Sequence, residues 1–365
     1  MAEVTNYIDR LVAELCPDGV DFYTIDELIT LDFGTRITKS KDAGTIYPVY
    51  GGGGASFRTD NYNREDKYVV SRFAMSEKCV RYVSGKFWML DSGFTYSVKD
   101  ESLLSYKYIS YWLLNAQQEI YACSSQSAQR NLKTAEFKRF EVPVPPMEIQ
   151  EAIVEILDKF TNLEAELEAE LEARTLQYEY YRDSLFEALD CPRVPLDSFA
   201  KIKNGKTYKD FGAGNIPVYG SGGIMTYVDR FAYDKPTVLI PRKGSLGNLF
   251  YLEEPFWNVD TIFYTEIDEE QVIPKFLYYF LKTAHLEDLN TAGGVPSLTQ
   301  KVLNKVLIPV PPLEEQQCIV DILDRFDALT SSLSEGLPAE LAARRSQYEY
   351  YRDQLLTFPR KGENQ

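Results

Sequence analysis

A chain of 365 residues, 44% hydrophobic and 13% aromatic, is long enough for two domains and apolar enough to give each a core. Its formal net charge of −16 argues against a simple nucleic-acid-binding surface until the distribution of that charge is considered. The acidic start MAEVTNYIDRLVAELCPDG lacks a signal-peptide type of apolar stretch, and no run approaches the roughly 18 apolar residues of a membrane span. Five cysteines, odd in number and far apart, do not form a disulfide framework or a zinc site, so a cytoplasmic location is expected.

In chain order, residues 1–16 read as a helical segment that packs with later helices. Residues 17–147 are rich in Gly, Tyr and Phe, with β-branched runs such as DKYVVSRF, the texture of mixed strands and short helices around a core. Near their end, KYISYWLLNAQ has the length and flanks of a buried helix. Residues 148–190 read as one long helix, started by Pro145-Pro146 with Glu148 in its first turn. Ile149, Ile153, Ile156, Phe160, Leu163 and Leu167 alternate spacings of four and three, a narrow heptad seam. Residues 191–312 return to the first texture with KPTVLIPR and KFLYYFLKTA. Residues 313–365 return to the helix, with Pro311-Pro312, Glu314-Glu315 and the seam Ile319, Ile322, Phe326, Leu329, Leu333. About 40 residues at a rise of 1.5 Å make rods of roughly 60 Å. Gly336 and Pro338 predict a kink or interruption in the second rod.

The chain is therefore one unit of about 170 residues written twice. YPVYGGGG at Tyr47 returns as IPVYGSGG at Ile216, and KFWMLD at Lys86 as PFWNVD at Pro255, both shifted by 169. VPVPPMEIQEAIVEILDKF at Val142 returns as IPVPPLEEQQCIVDILDRF at Ile308, and QYEYYRD at Gln177 returns at Gln347. YIDRLVAELCP near the start echoes YRDSLFEALDCP at Tyr181, as if the two halves closed on each other. The expected fold class is α+β: two homologous mixed α/β domains joined by two long antiparallel coiled-coil helices, related by an internal pseudo-twofold.

All of the excess charge lies on the helical parts: −10 on residues 148–190, −4 on 313–365 and −2 on 1–16, with the two globular parts neutral. Neutral domains bind DNA weakly by charge alone, so a DNA-binding role requires a partner to supply much of the phosphate contact.

Catalytic signatures are missing. AKIKNGKT (Ala200–Thr207) fits a permissive phosphate-loop pattern, but Gly212, Gly214 and Pro217 forbid the helix that must follow. The single histidine, His285, reads as structural, and neither a dinucleotide fingerprint nor an Asn-Pro-Pro-Tyr stretch is present. What remains are polar, glycine-rich loops at equivalent places in the repeat. Arg, Lys, Gln, Ser and Tyr are the side chains that hold phosphates and read base edges. The candidate DNA-binding residues are Arg36, Lys39, Lys41, Tyr50, Gly52, Ser56, Arg58, Arg72, Arg81, Gln129 and Arg130 in the first copy. In the second they are Lys206, Tyr208, Lys209, Tyr219, Ser221, Arg242, Lys243, Ser245 and Ser297. Leu163, Leu167, Leu171, Tyr178, Tyr181, Arg182, Tyr348, Tyr351 and Arg352 are the candidate spacer and partner residues of the helices.

The paired VPVPPMEIQEAIVEILD and IPVPPLEEQQCIVDILD, with the doubled QYEYYRD, resemble the specificity subunits of type I restriction–modification systems over nearly the whole chain. The resemblance implies two target-recognition domains, 17–147 and 191–312, each reading half of a bipartite site in double-stranded DNA. It implies two methyltransferase subunits as partners and, for cleavage, restriction/translocase subunits. S-adenosylmethionine, ATP and magnesium would reside in those partners, with no cofactor in this chain. In some family members a four-residue helical repeat sets the spacing of the half-sites, which would make the consecutive Leu-Glu-Ala units of 163–174 a ruler. Alternatively, Leu, Glu and Ala are simply good helix formers. A reading from another class remains, a non-catalytic coiled-coil scaffold whose paired domains bind protein.

Overall fold

Runs rich in Val, Ile, Phe and Tyr build the strands, and Pro145-Pro146 and Pro311-Pro312 each precede a long helix, in a computed structural model that describes residues 2–126, 129–290, 296–331 and 336–362. The backbone divides into unit 1, Met1–Glu166 with Leu341–Gln365, and unit 2, Leu167–Glu340.

In chain order unit 1 has α1 (Ala2–Leu15), β1 (Asp21–Thr24), α2 (Ile25–Leu28), β2 (Ile29–Phe33), α3 (Lys39–Asp42), β3 (Tyr47–Gly51) and β4 (Gly54–Thr59). There follow β5 (Arg64–Ser71), β6 (Val80–Met89), β7 (Gly93–Val98), α4 (Tyr106–Asn115), α5 (Gln117–Ala122), α6 (Thr134–Phe137), β8 (Glu141–Val144) and the start of α7 (Met147–Glu187). Among the described residues, six strands form one sheet in the order β2-β7-β5-β6-β3-β4, and β1 pairs with β8 antiparallel from Asp21↔Val144 to Thr24↔Glu141. Only the β3–β6 pairing in that sheet is parallel, which turns the β3–β4 hairpin out to the edge. Phe94, Tyr96, Tyr108 and Phe137 fill the core beneath it, all essentially inaccessible.

Unit 2 continues with β9 (Arg193–Pro195), β10 (Ala200–Asn204), β11 (Ile216–Gly220), β12 (Gly223–Val228), β13 (Thr237–Pro241), β14 (Phe250–Leu252), β15 (Trp257–Asn258) and β16 (Ile262–Ile267). It closes with α8 (Pro274–Thr283), α9 (Gln300–Leu303), β17 (Leu307–Pro309), α10 (Leu313–Ser331) and the start of α11 (Gly336–Leu355). The long strand β6 of unit 1 is here two strands, β14 and β15. Pro255, which replaces Lys86, cannot donate to a ladder and separates them. The sheet accordingly splits into β10-β16-β13-β14 and β12-β11-β15.

Each long helix begins as a lid on its own domain. In the first three turns of α7 the buried positions are Ile149, Gln150, Ile153 and Leu157, and in α10 they are Gln316, Ile319, Val320 and Leu323. This widens the heptad reading: Leu157 and Leu323 are fully buried beside the half-buried Ile156 and Ile322 of the seam, because the start of the helix meets a broad domain surface instead of one partner helix. Leu163 and Leu329 are more than a third exposed, and Leu333 lies outside the described residues.

Two buried glutamines lock the helix starts identically. Gln150 Oε1 accepts from Ser105 N (2.9 Å) while Nε2 donates to the carbonyls of Leu103 (2.9 Å) and Pro145 (2.8 Å). Gln316 repeats this with Ile273 N (2.8 Å), Gln271 O (2.9 Å) and Pro311 O (2.8 Å). About two turns on, Asp158 accepts from Tyr111 (2.7 Å) and Lys107 (2.5 Å), as Asp324 does from Tyr279 (2.6 Å) and Lys275 (2.8 Å).

The helix tails are exchanged. In unit 1, Phe160 of α7 stacks on Tyr351 of α11 (5.8 Å between centroids, 27°) and packs on Tyr348 (6.2 Å). Glu164 meets Arg345 at 2.6 Å, so the two segments run in opposite directions. In unit 2, Phe326 of α10 stacks on Tyr181 (5.8 Å, 29°) and packs on Tyr178 of α7 (6.4 Å). Each QYEYYRD thus completes the unit to which its own helix start does not belong. The chain ends meet within unit 1, where Val20 N donates to Pro359 O (3.0 Å) and Lys361 N to Val20 O (3.1 Å). At the predicted interruption of the second rod Gly336, the first described residue of α11, has φ +80°, while residues 332–335 lie outside the described residues. A Cβ there would meet the Ala328 and Leu329 carbonyls at 2.6 and 2.7 Å, so the position requires glycine.

Candidate nucleic-acid interface

Four segments of unit 1 are sewn together at one end of the sheet: the β3–β4 turn, the segment after β5, the β6–β7 turn and residues 129–132. Ser71 Oγ donates to Gly52 O (2.7 Å), and Gly52 N donates to Ser92 Oγ (3.1 Å). Arg72 N and Phe73 N both donate to Ser92 O (2.8 and 3.0 Å). Met75 N donates to Arg130 O (3.0 Å) and Leu132 N to Arg72 O (2.8 Å). The Arg72 guanidinium lies over Phe33 (4.9 Å) and Phe73 (4.6 Å), and Arg130 over Tyr121 (4.5 Å). Stacking on rings orients a guanidinium while leaving its N–H edge to a ligand. Gly34 N donates to Gly93 O (3.2 Å) and Thr35 N to Met89 O (2.9 Å), which brings the basic loop alongside, with Arg36, Lys39 and Lys41 exposed on it. Gln129 is exposed at the same end, next to Ser127 and Ala128, which lie outside the described residues.

Other candidates of the first copy are already engaged by neighbouring backbone carbonyls or rings. Arg81 donates through Nη2 to the carbonyls of Gly51 (2.7 Å) and Gly52 (3.2 Å), and burial pushes its pKa down. Gly52 is itself buried, and a Cβ on it would meet Phe73 O at 1.8 Å. Both shape the turn from within. Arg58 Nη1 folds back on Ile46 O (2.7 Å), Ser56 Oγ donates to Val49 O (3.2 Å), and Tyr50 sets its ring edge-on to Phe87 (5.6 Å).

Unit 2 assembles the equivalent end with different residues. Arg242 N and Lys243 N donate to Thr261 O (2.9 and 3.2 Å), and Ser221 N donates to Thr261 Oγ1 (3.3 Å). Asn248 Nδ2 donates to Ser221 O (3.2 Å), Gly244 N to Pro296 O (3.1 Å) and Leu298 N to Arg242 O (2.8 Å). Lys243 forms a bridge with Ser297, whose N donates to Asn290 Oδ1 (3.0 Å). Lys243 and Ser245 are exposed, Arg242 and Tyr219 half-buried; residues 291–295 lie outside the described residues. Lys206, Tyr208 and Lys209 lie on the neighbouring loop, whose Phe211 packs edge-on against Trp257 (4.5 Å). That loop is no phosphate cradle. β10 occupies Ala200–Asn204, no helix follows, and Lys206 N is committed to Asn258 O (2.9 Å). His285 sits just past α8 with φ +42° and a side chain 67% exposed, so it is not a core residue.

Of the helix candidates, Tyr178, Tyr181, Tyr348 and Tyr351 serve the packing described above. Arg352 Nε donates to Asn115 Oδ1 (2.9 Å) and Arg182 pairs with Asp183 (2.8 Å). Leu167 and Leu171 are half-buried. The most exposed tyrosines of these helices are Tyr180 (69%) and Tyr350 (59%), which sequence reasoning did not single out. It also missed the serines at 71 and 92 and the exposed Ile224, Met225 and Tyr227, whose signal was their departure from the first copy's Ala55, Ser56 and Arg58.

A duplicated α/β frame whose ends carry non-matching polar loops, with no cluster of metal ligands among the described residues, has the form of a two-part recognition protein. The family model for the type I restriction modification DNA specificity domain matches twice, over residues 17–173 and 190–343. The chain belongs to that family and is a DNA-specificity subunit of the type I class. It is 28% identical to a protein described as a type I restriction enzyme specificity subunit from Haemophilus influenzae, across 93% of this chain and 96% of the relative. It is 32% identical to the EcoR124I/EcoR124II type I restriction enzyme specificity subunit of Escherichia coli, across 72% of this chain and 73% of that one. In fold it is similar to the crystal structure of a type I restriction–modification S subunit from M. genitalium, with a TM-score of 0.60 and 23% identity over 93% of this chain and 96% of the other. No helix among the described residues is long and apolar enough to cross a membrane.

Proposed function

We propose that the loop end of each unit reads one half of a bipartite, asymmetric DNA site, and that the exchanged helices form an antiparallel coiled coil that spaces the halves and docks two methyltransferase subunits. The observation that carries this is the contrast within the repeat. The glutamine and aspartate locks agree atom for atom, while the loops that share one end of each unit differ. A common frame with different reading loops is what two different half-sites require. On this reading the domains divide as 1–16, 17–147, 148–190, 191–312 and 313–365. The chain catalyses nothing itself and works in the cytoplasm, and S-adenosylmethionine, ATP and magnesium belong to partner subunits. The neutral charge of 17–147 and 191–312 supports partner-assisted binding, since phosphate neutralisation supplies most non-specific affinity.

The test is DNA binding by the chain with and without its neighbouring methyltransferase, at low and physiological salt. Site-specific, salt-sensitive binding by the complex, and far weaker binding by the chain alone, is expected. Protein capture without specific DNA binding would favour the paired-domain scaffold instead.

A further inference from the structure

The β11–β12 hairpin of unit 2 is an edge ribbon: β12 is the outermost strand in the order β12-β11-β15. Its register shifts between Val218 and Tyr219, so that Thr226 faces Val218 and Ile224 faces Tyr219, leaving Met225 as the extra residue of a bulge. Bulges re-aim side chains. Here Ile224, Met225 and Tyr227 are 50%, 58% and 53% exposed, and Phe231 just beyond is 51% exposed. Single exposed apolar residues are ordinary, but a row of them on an open sheet edge invites aggregation and is usually blunted with charge. The first copy follows that rule, with Ala55, Ser56 and Arg58 at the same positions of the same bulged hairpin.

The ribbon is continuous with the reading end of unit 2. A Cβ on Gly220 would meet Met225 Sδ at 2.8 Å and Thr261 Oγ1 at 3.4 Å, so Met225 lies across the turn towards the residue that anchors Arg242, Lys243 and Ser221. The far end of β12 leads to exposed Arg230, whose guanidinium lies 5.1 Å from the Phe211 ring. A two-stranded ribbon fits the major groove of DNA, cations at both ends suit phosphates, and the apolar group that groove presents is the thymine 5-methyl.

We infer that Ile224 and Met225, supported by Tyr227, read thymine methyl groups in the half-site of unit 2, and that unit 1 has no such contact. This rests on the proposed reading of one half-site by each unit.

The test uses the full chain with a methyltransferase subunit on duplexes carrying the site first mapped from the adenines that complex methylates, each thymine replaced in turn by deoxyuridine. Each lost methyl contact is expected to weaken binding about fourfold, the worth of one buried methyl-sized group, in one half-site only. The Ile224→Ala/Met225→Ser variant, which restores the small and polar character of the first copy on exposed positions, is expected to bind thymine and uracil duplexes equally. Uracil replacement without effect, an effect that persists in the variant, or a unit 2 half-site without any A·T pair would overturn the inference. An affinity loss in the variant with thymine and uracil still alike in the wild type would indicate a base-step wedge and overturn it too. Absence of any site-specific binding by the wild-type complex would instead overturn the half-site reading on which it rests.

Discussion

The two copies of the repeat agree where side chains are buried and part company where they are not. Gln150 Nε2 donates to Pro145 O and Gln316 Nε2 to Pro311 O, both at 2.8 Å and both out of contact with water. By contrast, one proline divides β6 into β14 and β15, and one bulge presents Ser56 in one unit and Met225 in the other. Interior hydrogen bonds are constrained by the cost of leaving any partner unsatisfied, whereas exposed loop residues carry no such penalty. The frame is therefore copied and the reading end is free to diverge.

The comparison can be broken or sharpened experimentally. Removing Leu167–Glu170 shortens α7 by one four-residue unit, about 6 Å with a rotation of roughly 40°. One DNA base pair needs about 3.4 Å and roughly 35°. The gap between half-sites is expected to shrink by one base pair with both half-sites unchanged; an unaltered gap would remove the ruler. Gln150→Ala and Gln316→Ala each strand one buried N–H and two carbonyls and should cost ~2–4 kcal/mol in denaturant unfolding. Equal losses are the signature of a copied frame, and a large inequality would contradict it. Phe160→Ala and Phe326→Ala, at half-buried stacks, should each cost about 2 kcal/mol, below the value for a fully buried ring. Both should loosen protection of the opposite tail in hydrogen exchange. Lys243→Ala, exposed at the reading end, should leave stability unchanged and lower the salt dependence of DNA binding by about one unit of slope. An unchanged slope would take Lys243 off the phosphates.

Much of this was legible in the sequence because the repeat is written in residues that must be buried or must break a helix. The Pro-Pro starts, the KYISYW and KFLYYF helices and the non-helical backbone at Gly336 all fall where the pattern put them. The heptad seam was narrower than the buried face because spacing alone cannot tell a helix lying on a domain from one lying on another helix, and Leu157 and Leu323 were hidden by that ambiguity. The site was legible only as a set of loops. Arg81 and Gly52 look like surface residues in sequence, yet Ser71, Ser92 and Phe73 enclose that turn through contacts between distant segments. Residue type announces what a side chain can bond, but not whether the backbone has already claimed it.

The most direct measurement is the pattern of methylated adenine in genomic DNA from a cell without its own modification, expressing this chain with its neighbouring methyltransferase. Two unlike half-sites at a fixed spacing, lost when the chain is omitted, are the result expected of a copied frame with divergent reading ends. Identical halves, or methylation that does not depend on the chain, would contradict it.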